Sequence, residues 1–194
     1  MTLSCCGTYN GNDAILTCGH YTQAYGDQIR YASNSGSVIG TVVKHRFNND
    51  LKGDFEIVSV NTSLFDTTRS MASYRIYDGY ISEAVEDVNI CYYSRVYSGE
   101  YSGTVNARNI DVYAKETPQS TTTVHIFGMS KIKLSLANNI TQGDSGGPVY
   151  RVDNNYAVYC GVIHGFNVNN QYLYVYYTPY KHIADTGFVA YVSD

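Results

Sequence analysis

Short runs rich in β-branched and aromatic residues recur along the whole chain, and clusters of Gly, Asn, Asp and Ser separate them. Runs of this length between turn residues are typical of β-strands. The 21 tyrosines, with frequent Val, Ser and Thr, suit half-buried pleated surfaces rather than helices. We therefore predict an all-β chain with one short helix over 180–185, after Pro179. The predicted strands cover 14–17, 38–44, 55–60, 88–93, 103–107, 124–127, 148–152, 157–163 and 172–177.

The length of the chain, 194 residues, allows two small barrels packed together. Many short strands with turns between them favour barrels or a sandwich. The stretch 61–82 has weak patterning. We interpret it as the connection between an N-terminal and a C-terminal barrel.

Composition and charge exclude several kinds of partner. The 13 basic and 17 acidic residues form no long runs, so no basic stripe is available to follow a nucleic acid. No stretch reaches the ~20 apolar residues of a membrane span, and the opening residues lack the pattern of a signal peptide. We expect that the protein either is made with a leader that is later removed or is made without one.

The five cysteines show no metal-ligand spacing, and their odd number leaves at least one thiol unpaired. We expect no metal, no cofactor, no nucleic acid and no membrane partner. The cysteines are Cys5, Cys6, Cys18, Cys91 and Cys160.

Three local motifs point to chemistry, in the chain order histidine, aspartate, serine. His20 ends Thr-Cys-Gly-His, Asp54 lies in Gly-Asp-Phe-Glu-Ile-Val, and Ser145 lies in Gly-Asp-Ser-Gly-Gly-Pro-Val. A serine hydroxyl is a weak nucleophile near neutral pH, so it needs an imidazole to take its proton and a carboxylate to orient that imidazole. We predict that Ser145 is the nucleophile, His20 the general base and Asp54 the orienting acid.

The glycines around Ser145 have a second purpose. A turn without bulky side chains lets the N–H groups of Gly143 and Ser145 converge on the oxyanion of a tetrahedral intermediate. Taken alone, a histidine after a strand or an aspartate at a strand edge is ordinarily structural. The glycine-rich serine motif seldom arises in a simple turn, and the three motifs together favour catalysis.

The three motifs resemble those of the chymotrypsin-like serine peptidases, especially the bacterial streptogrisin-type and glutamyl endopeptidase-like branch. The serine motif matches in full, whereas Cys18 stands where the histidine motif has Ala. The resemblance implies two packed six-stranded antiparallel β-barrels with the site between them, and a short C-terminal helix. It places a barrel carrying His20 and Asp54 over 1–70, and a barrel carrying Ser145 and the S1 pocket over 71–194.

The resemblance also implies an activity and a setting. We expect a monomeric serine endopeptidase that forms an acyl-enzyme and acts on polypeptides. The enzyme is expected to be secreted or extracellular, or alternatively to be released from a larger precursor or viral polyprotein.

The chain departs from the family pattern beside the predicted site. Tyr21 and Thr141 occupy positions where the family commonly has cysteines, so two usual disulfides are not expected. No activation sequence of Arg followed by Ile-Val-Gly-Gly occurs, so a new N-terminus is not expected to pair with Asp144. Because an unpaired buried charge is costly, we predict that Arg95 supplies the cation for Asp144.

The resemblance also assigns a specificity pocket. Asn139 stands where trypsin-like members carry Asp, so a basic P1 residue is not expected. The segment 161–167 should form the edge to which P1–P3 of the substrate adds as a strand. His164 resembles the histidine that recognises P1 Glu or Gln in glutamyl endopeptidases and picornavirus-type proteases, and Thr141 is a second possible donor. We expect substrate contacts from Asn139, Thr141, His164, Gly165, Phe166 and Asn167.

Several alternatives stay open or are excluded. His164 is alternatively a core imidazole bonded to tyrosine hydroxyls, with a small or aromatic P1 preference. The motif around Ser145 also fits the nucleophile elbow of an α/β-hydrolase, but that fold needs Asp and His after the serine, among alternating helices and strands. The residues after Ser145 are predicted to be strands, which excludes it. A catalytically inactive binding module on the peptidase fold is the second alternative, although all three predicted triad members are present.

Overall fold

The computed structural model describes residues 2–21, 24–30, 36–47, 51–63, 70–71, 74–76, 86–115 and 120–192. These residues are mostly β-strand. The strands are β1 (Cys6–Tyr9), β2 (Asn12–Thr17), β3 (Gln28–Arg30), β4 (Val38–Arg46), β5 (Leu51–Lys52), β6 (Phe55–Val60), β7 (Ser70–Met71), β8 (Tyr74–Ile76), β9 (Asn89–Ser94), β10 (Gly99–Lys115), β11 (Thr123–Leu134), β12 (Pro148–Asp153), β13 (Tyr156–Val168), β14 (Leu173–Pro179) and β15 (Phe188–Ala190). A 3-10 turn covers Gly19–Tyr21, and helix α1 covers Tyr180–Ala184.

The N-terminal sheet brings the histidine and aspartate motifs together. Its strands follow the order β15-β1-β2-β6-β4-β3. β2 and β6 are antiparallel neighbours, with Thr17 opposite Glu56. This register places the residues that follow β2 beside the residues that precede β6. The 3-10 turn carrying His20 and the loop carrying Asp54 therefore lie at the same edge of the sheet.

The C-terminal sheet contains a closed ring of six strands. The ring runs β12-β9-β10-β11-β14-β13, and β13 pairs back to β12. Neighbours in the ring are antiparallel, whereas β8 and β5 join β13 and β11 in parallel. Ser145 lies in the turn that connects β11 to β12. β13 passes close to the same turn, because Gly146 N–H donates to the Ile163 carbonyl at 2.8 Å.

Buried apolar side chains join the two barrels. One cluster connects Leu16 and Ile57 of the N-terminal sheet with Tyr150 and Val162 of the ring and with Ile183 of α1. A second cluster draws buried side chains from all six strands of the ring. Burial of this kind is the main source of stability in a small domain. The predicted site residues therefore lie on two barrels that pack against one another.

The predicted fold class is confirmed, since the described chain forms two mostly antiparallel β-sheets and one short C-terminal helix. Two short strands cross the predicted division: β15 pairs with β1, and β5 pairs with β11. The segment 64–69, beside the predicted boundary at 70, and much of the predicted connection 61–82 lie outside the described residues, so that boundary stays a prediction. All five cysteines lie among the described residues, and no disulfide joins them there. Among the described residues, no helix is long and apolar enough to cross a bilayer.

Candidate active site

The Asp54 carboxylate is the centre of the site. It is completely buried, and its Oδ2 lies 2.6 Å from Nδ1 of His20. Its Oδ1 accepts the Gly19 N–H at 2.7 Å. Thr178 of β14 holds the Asp54 backbone, because its hydroxyl oxygen accepts the Asp54 N–H at 2.8 Å and its O–H donates to the Asp54 carbonyl at 3.0 Å. Both barrels therefore fix this aspartate.

The hydrogen bonds of Asp54 determine its charge and the tautomer of His20. Burial alone would raise the pKa of Asp54, but the facing imidazoles of His20 and His164 lower it well below the usual range. Asp54 is therefore an acceptor only, and Nδ1 of His20 must carry a proton. Burial lowers the pKa of His20, but the Asp54 carboxylate outweighs this effect, and the net shift is upward from 6.5. The remaining nitrogen, Nε2, is then the basic atom of neutral His20, and it lies 3.7 Å from the Cys18 sulfur.

The turn that carries Ser145 packs directly on the histidine turn. A Cβ at Gly146 would collide with the Thr17 hydroxyl and the Thr2 carbonyl, and Gly146 has a φ of +87°. Only glycine allows this approach at this conformation. The N-terminal segment bridges the two turns, because Thr17 Oγ1 donates to the Thr2 carbonyl at 2.7 Å and the Thr2 N–H donates to the Ser145 carbonyl at 3.2 Å. Ser145 therefore lies beside the turn of His20.

The Ser145 side chain is half-buried, and within the described part of the chain its hydroxyl makes no hydrogen bond. Catalytic hydrogen bonds are often long in unliganded enzymes and tighten when substrate binds. The resting geometry therefore leaves the Ser145 hydroxyl available to a partner.

Two backbone donors beside Ser145 are free. Across the described residues, neither the Gly143 N–H nor the Ser145 N–H donates to a protein acceptor, whereas the Gly146 and Gly147 N–H groups do. Gly143 has a φ of +104°, and its carbonyl accepts the Thr2 hydroxyl at 2.5 Å. Sequence reasoning missed Thr2, since its position carries no motif. The turn is thus held with two unused N–H groups next to the serine.

Asp144 does not pair with Arg95, and this prediction is wrong. Asp144 is fully buried, and its carboxylate accepts the Ser94 hydroxyl at 2.8 Å and the N–H groups of Thr141 and Val96 at 3.1 and 3.2 Å. The Arg95 side chain is exposed, and no ion pair joins these two described residues. Three neutral donors stabilise a buried carboxylate without a cation.

His164 contacts the same aspartate as His20. Its Nδ1 lies 2.6 Å from Asp54 Oδ2, and the two imidazole rings are 5.4 Å apart and nearly perpendicular. His164 occupies a β-bulge, where the pairing of β13 with β14 shifts between Ile163 and Gly165. A bulge re-aims the side chain of its extra residue. The alternative prediction of tyrosine hydroxyl partners does not match this contact.

The other predicted pocket residues fall into two groups. His164, Gly165, Phe166 and Asn167 line a cavity of about 460 Å³ together with residues 111–114 of β10 and Tyr176 of β14. Asn139 and Thr141 are not among the described residues that line this cavity. Asn139 is exposed, and its amide contacts the Tyr101 hydroxyl at 3.4 Å. The Thr141 N–H donates to Asp144.

The cluster of His20, Asp54 and His164 also satisfies the spacing of a metal site, since its donor atoms lie within 4.8 Å of one another. The hydrogen bonds explain this closeness, because one carboxylate oxygen accepts two imidazole N–H groups and the other accepts a backbone N–H. A metal ion would have to displace both imidazole protons. We therefore interpret the cluster as a hydrogen-bonded group.

Comparisons with known proteins agree with this fold. The model of the Trypsin family matches residues 2–186. Thermobifida fusca protease A superposes with a TM-score of 0.73 at 19% sequence identity, covering 98% of this chain and 91% of that one. A glutamic acid specific serine protease, described as using a histidine triad in substrate binding, gives 0.68 at 22% identity, covering 98% and 92%. Nocardiopsis protease gives 0.68 at 22% identity, covering 95% and 88%. No curated protein matches in sequence.

Proposed function

Because this chain belongs to the trypsin family of serine endopeptidases, we propose that Ser145, His20 and Asp54 are its catalytic triad. The observation that carries the proposal is the 2.6 Å bond from His20 Nδ1 to Asp54, beside the turn of Ser145. That bond fixes the tautomer in which Nε2 of His20 can accept a proton. A general base needs this arrangement to activate a serine.

Each residue then has one role in peptide hydrolysis. Ser145 attacks the scissile carbonyl while His20 Nε2 takes its proton, and Asp54 stabilises the resulting imidazolium. The free N–H groups of Gly143 and Ser145 bind the oxyanion of the tetrahedral intermediate. His20 returns the proton to the leaving amine, and water then hydrolyses the acyl-enzyme.

Replacement of the serine tests this proposal against the inactive binding module. Ser145→Ala and His20→Ala should each remove nearly all peptidase turnover, because triad members act as a unit. Ser102→Ala is a matched control, since Ser102 is an exposed serine on β10, and it should keep wild-type turnover. Equal activity of Ser145→Ala and wild type would exclude the triad. No activity in the wild type would favour the binding module.

We propose further that the enzyme prefers Gln or Glu at P1. The support is an uncharged Asn139 at the position of the trypsin-like Asp, and an imidazole, His164, on a cavity beside the predicted substrate edge. His164 Nδ1 is committed to Asp54, so Nε2 is the remaining polar atom. Neutral His164 would accept an N–H of Gln through Nε2, whereas a Glu carboxylate requires a proton there. Glu should therefore be cleaved relatively better as the pH falls.

Peptides that differ only at P1 test the preference. With Gln, Glu, Ala and Phe at P1, the first two should have the highest kcat/KM, because a site built around hydrogen bonds rejects groups that leave its donors and acceptors unpaired. A best substrate with Ala or Phe at P1 would support the alternative of a small or aromatic preference. A narrow preference would also favour release from a precursor, and broad cleavage would favour digestion outside the cell.

A further inference from the structure

One carboxylate oxygen in this site accepts two imidazoles. Oδ2 of Asp54 lies 2.6 Å from Nδ1 of His20 and 2.6 Å from Nδ1 of His164. The catalytic chemistry described above uses only the first of these bonds. We propose that His164 is a positioning residue, which holds the Asp54 carboxylate in register with His20 and shares its negative charge. This inference rests on the proposed triad and gives His164 a role that applies to every substrate.

The proton positions follow from the geometry. An ionised carboxylate can only accept hydrogen bonds, so both Nδ1 atoms carry protons. When the rings are neutral, neither Nε2 carries a proton. The second oxygen of Asp54 is occupied by the Gly19 N–H. Oδ2 of Asp54 therefore accepts both hydrogen bonds only when both histidines are protonated at Nδ1. A change at His164 must be felt at His20 through this shared oxygen.

The second imidazole links the two barrels at the catalytic aspartate. His20 and Gly19 bind Asp54 from the N-terminal barrel, whereas His164 approaches from β13 of the C-terminal barrel. The His164 side chain is only 11% exposed, and the ring of Phe47 contacts both imidazoles, with centroids 5.7 Å from His20 and 6.4 Å from His164. Side chains packed in this way have little freedom to turn. Without His164, the carboxylate would lose one of its two lateral supports.

Sharing Asp54 should also weaken His20 as a base. A hydrogen bond from His164 draws negative charge from Oδ2, so the His20 imidazolium is stabilised less than by an unshared carboxylate. Among the described residues, the titratable groups near the pair include Asp111, Tyr113 and Tyr176, which line the cavity beside His164. They also include His125, which pairs with Asp111, and His45, whose ring lies 2.8 Å from the Gly19 carbonyl. Cys18 lies beside the His20 ring, and Glu56 acts on the same ring from β6. All of these stay in place when only residue 164 is changed.

Two variants separate the hydrogen bond from the ring. His164→Asn places an amide N–H on Cγ, where the histidine has Nδ1, so a donor to Asp54 is kept. His164→Leu removes the donor and keeps an apolar side chain. In His164→Leu, kcat should fall about tenfold or more for every P1 residue, since a hydrogen bond to a charged group is lost. The acidic limb of the pH–rate profile of His164→Leu should move up by about one pH unit. His164→Asn, which lacks Nε2 but keeps the donor, should restore most of kcat for the Ala and Phe substrates and the wild-type acidic limb of the pH profile.

His182→Asn is the matched control, because it makes the same exchange at a histidine whose ring contacts the Gly128 carbonyl. It should change neither kcat nor the pH profile. An unchanged kcat and limb in His164→Leu would overturn the inference. A loss limited to Gln and Glu substrates would also overturn it, and would assign His164 to P1 recognition alone.

Nitrogen NMR of the histidines tests the inference without turnover. In protein with Ser145→Ala and 15N-labelled histidine, both His20 and His164 should be Nδ1–H tautomers at a pH high enough for both rings to be neutral. Adding His164→Leu should raise the titration midpoint of His20, and adding His164→Asn should not. An Nε2–H tautomer at either residue, or an unmoved midpoint, would refute the shared oxygen. This readout is independent of activity, so it can fail while the triad stands, or stand while the triad fails.

Discussion

Replacing Asp54 with asparagine should be the most damaging isosteric change in this molecule. The carboxylate accepts three N–H donors, from Gly19, His20 and His164. Asparagine has one acceptor oxygen and one amide nitrogen that can only donate. If its oxygen faces the imidazoles, its NH2 opposes the Gly19 N–H, and if its oxygen faces Gly19, its NH2 opposes both rings. Each buried donor left unpaired costs about 1–3 kcal/mol.

The change that would pair the imidazoles again also inactivates the site. His20 can pair with an amide NH2 only by moving its proton to Nε2, and this tautomer cannot take the Ser145 proton. We expect a loss of about 10⁴ in kcat at neutral pH, which corresponds to about 5 kcal/mol of activation free energy. For a substrate with Ala at P1, KM should change little, because such a side chain makes no hydrogen bond to His164, the cavity residue that contacts Asp54.

Steady-state hydrolysis of one peptide substrate, with circular dichroism to verify folding, measures this effect. Asp185→Asn is the control, since Asp185 is an exposed aspartate paired with Lys181 on the C-terminal helix. It should keep wild-type kcat. A folded Asp54→Asn enzyme with less than a tenfold loss would refute the assignment of Asp54 as the orienting acid.

Two further outcomes follow from the site. The pKa of His20 is shifted upward, and the neutral ring is the active form. Activity should therefore fall as the pH is lowered through a midpoint above 6.5, which a pH profile of kcat/KM measures. A midpoint well below 6.5 would contradict the effect of Asp54. Arg95→Ala should leave kcat/KM and Tm unchanged, whereas Ser94→Ala should lower both, since it removes the hydroxyl donor from buried Asp144. Equal effects of these two changes would contradict the neutral environment of Asp144.

Local pattern was sufficient for most of the fold. The predicted strands at 55–60 and 148–152 coincide with β6 and β12, because their apolar runs are bounded by turn residues. β10 was predicted only at 103–107, although it spans Gly99–Lys115. Its outer half has apolar residues at alternate positions, Ile110, Val112 and Ala114, which pack on a small cluster. The polar residues Asn106, Arg108 and Asn109 separate this half from the predicted strand. β15 was missed because it is short and pairs with β1, which is distant in sequence. β1 was missed although Asn10-Gly11 marks its tight hairpin with β2.

The site was predictable where one motif holds the chemistry. His20 and Asp54 were found from their own segments, and the structure joins them by a hydrogen bond. The contact of His164 with Asp54 depends on the bulge in β13, which the register with β14 creates. The pairing of Arg95 with Asp144 was wrong because the donors to Asp144 come from turn geometry. Neither feature has a signal in the linear sequence.

Labelling with a fluorophosphonate tests the central claim most directly, because such probes modify an activated serine and spare an ordinary one. Intact mass and peptide mapping of the wild-type protein should show one adduct per chain, on Ser145. The adduct should be absent from Ser145→Ala and nearly absent from His20→Ala. An unlabelled wild type, or labelling that persists in Ser145→Ala, would contradict the assignment of Ser145 as the nucleophile.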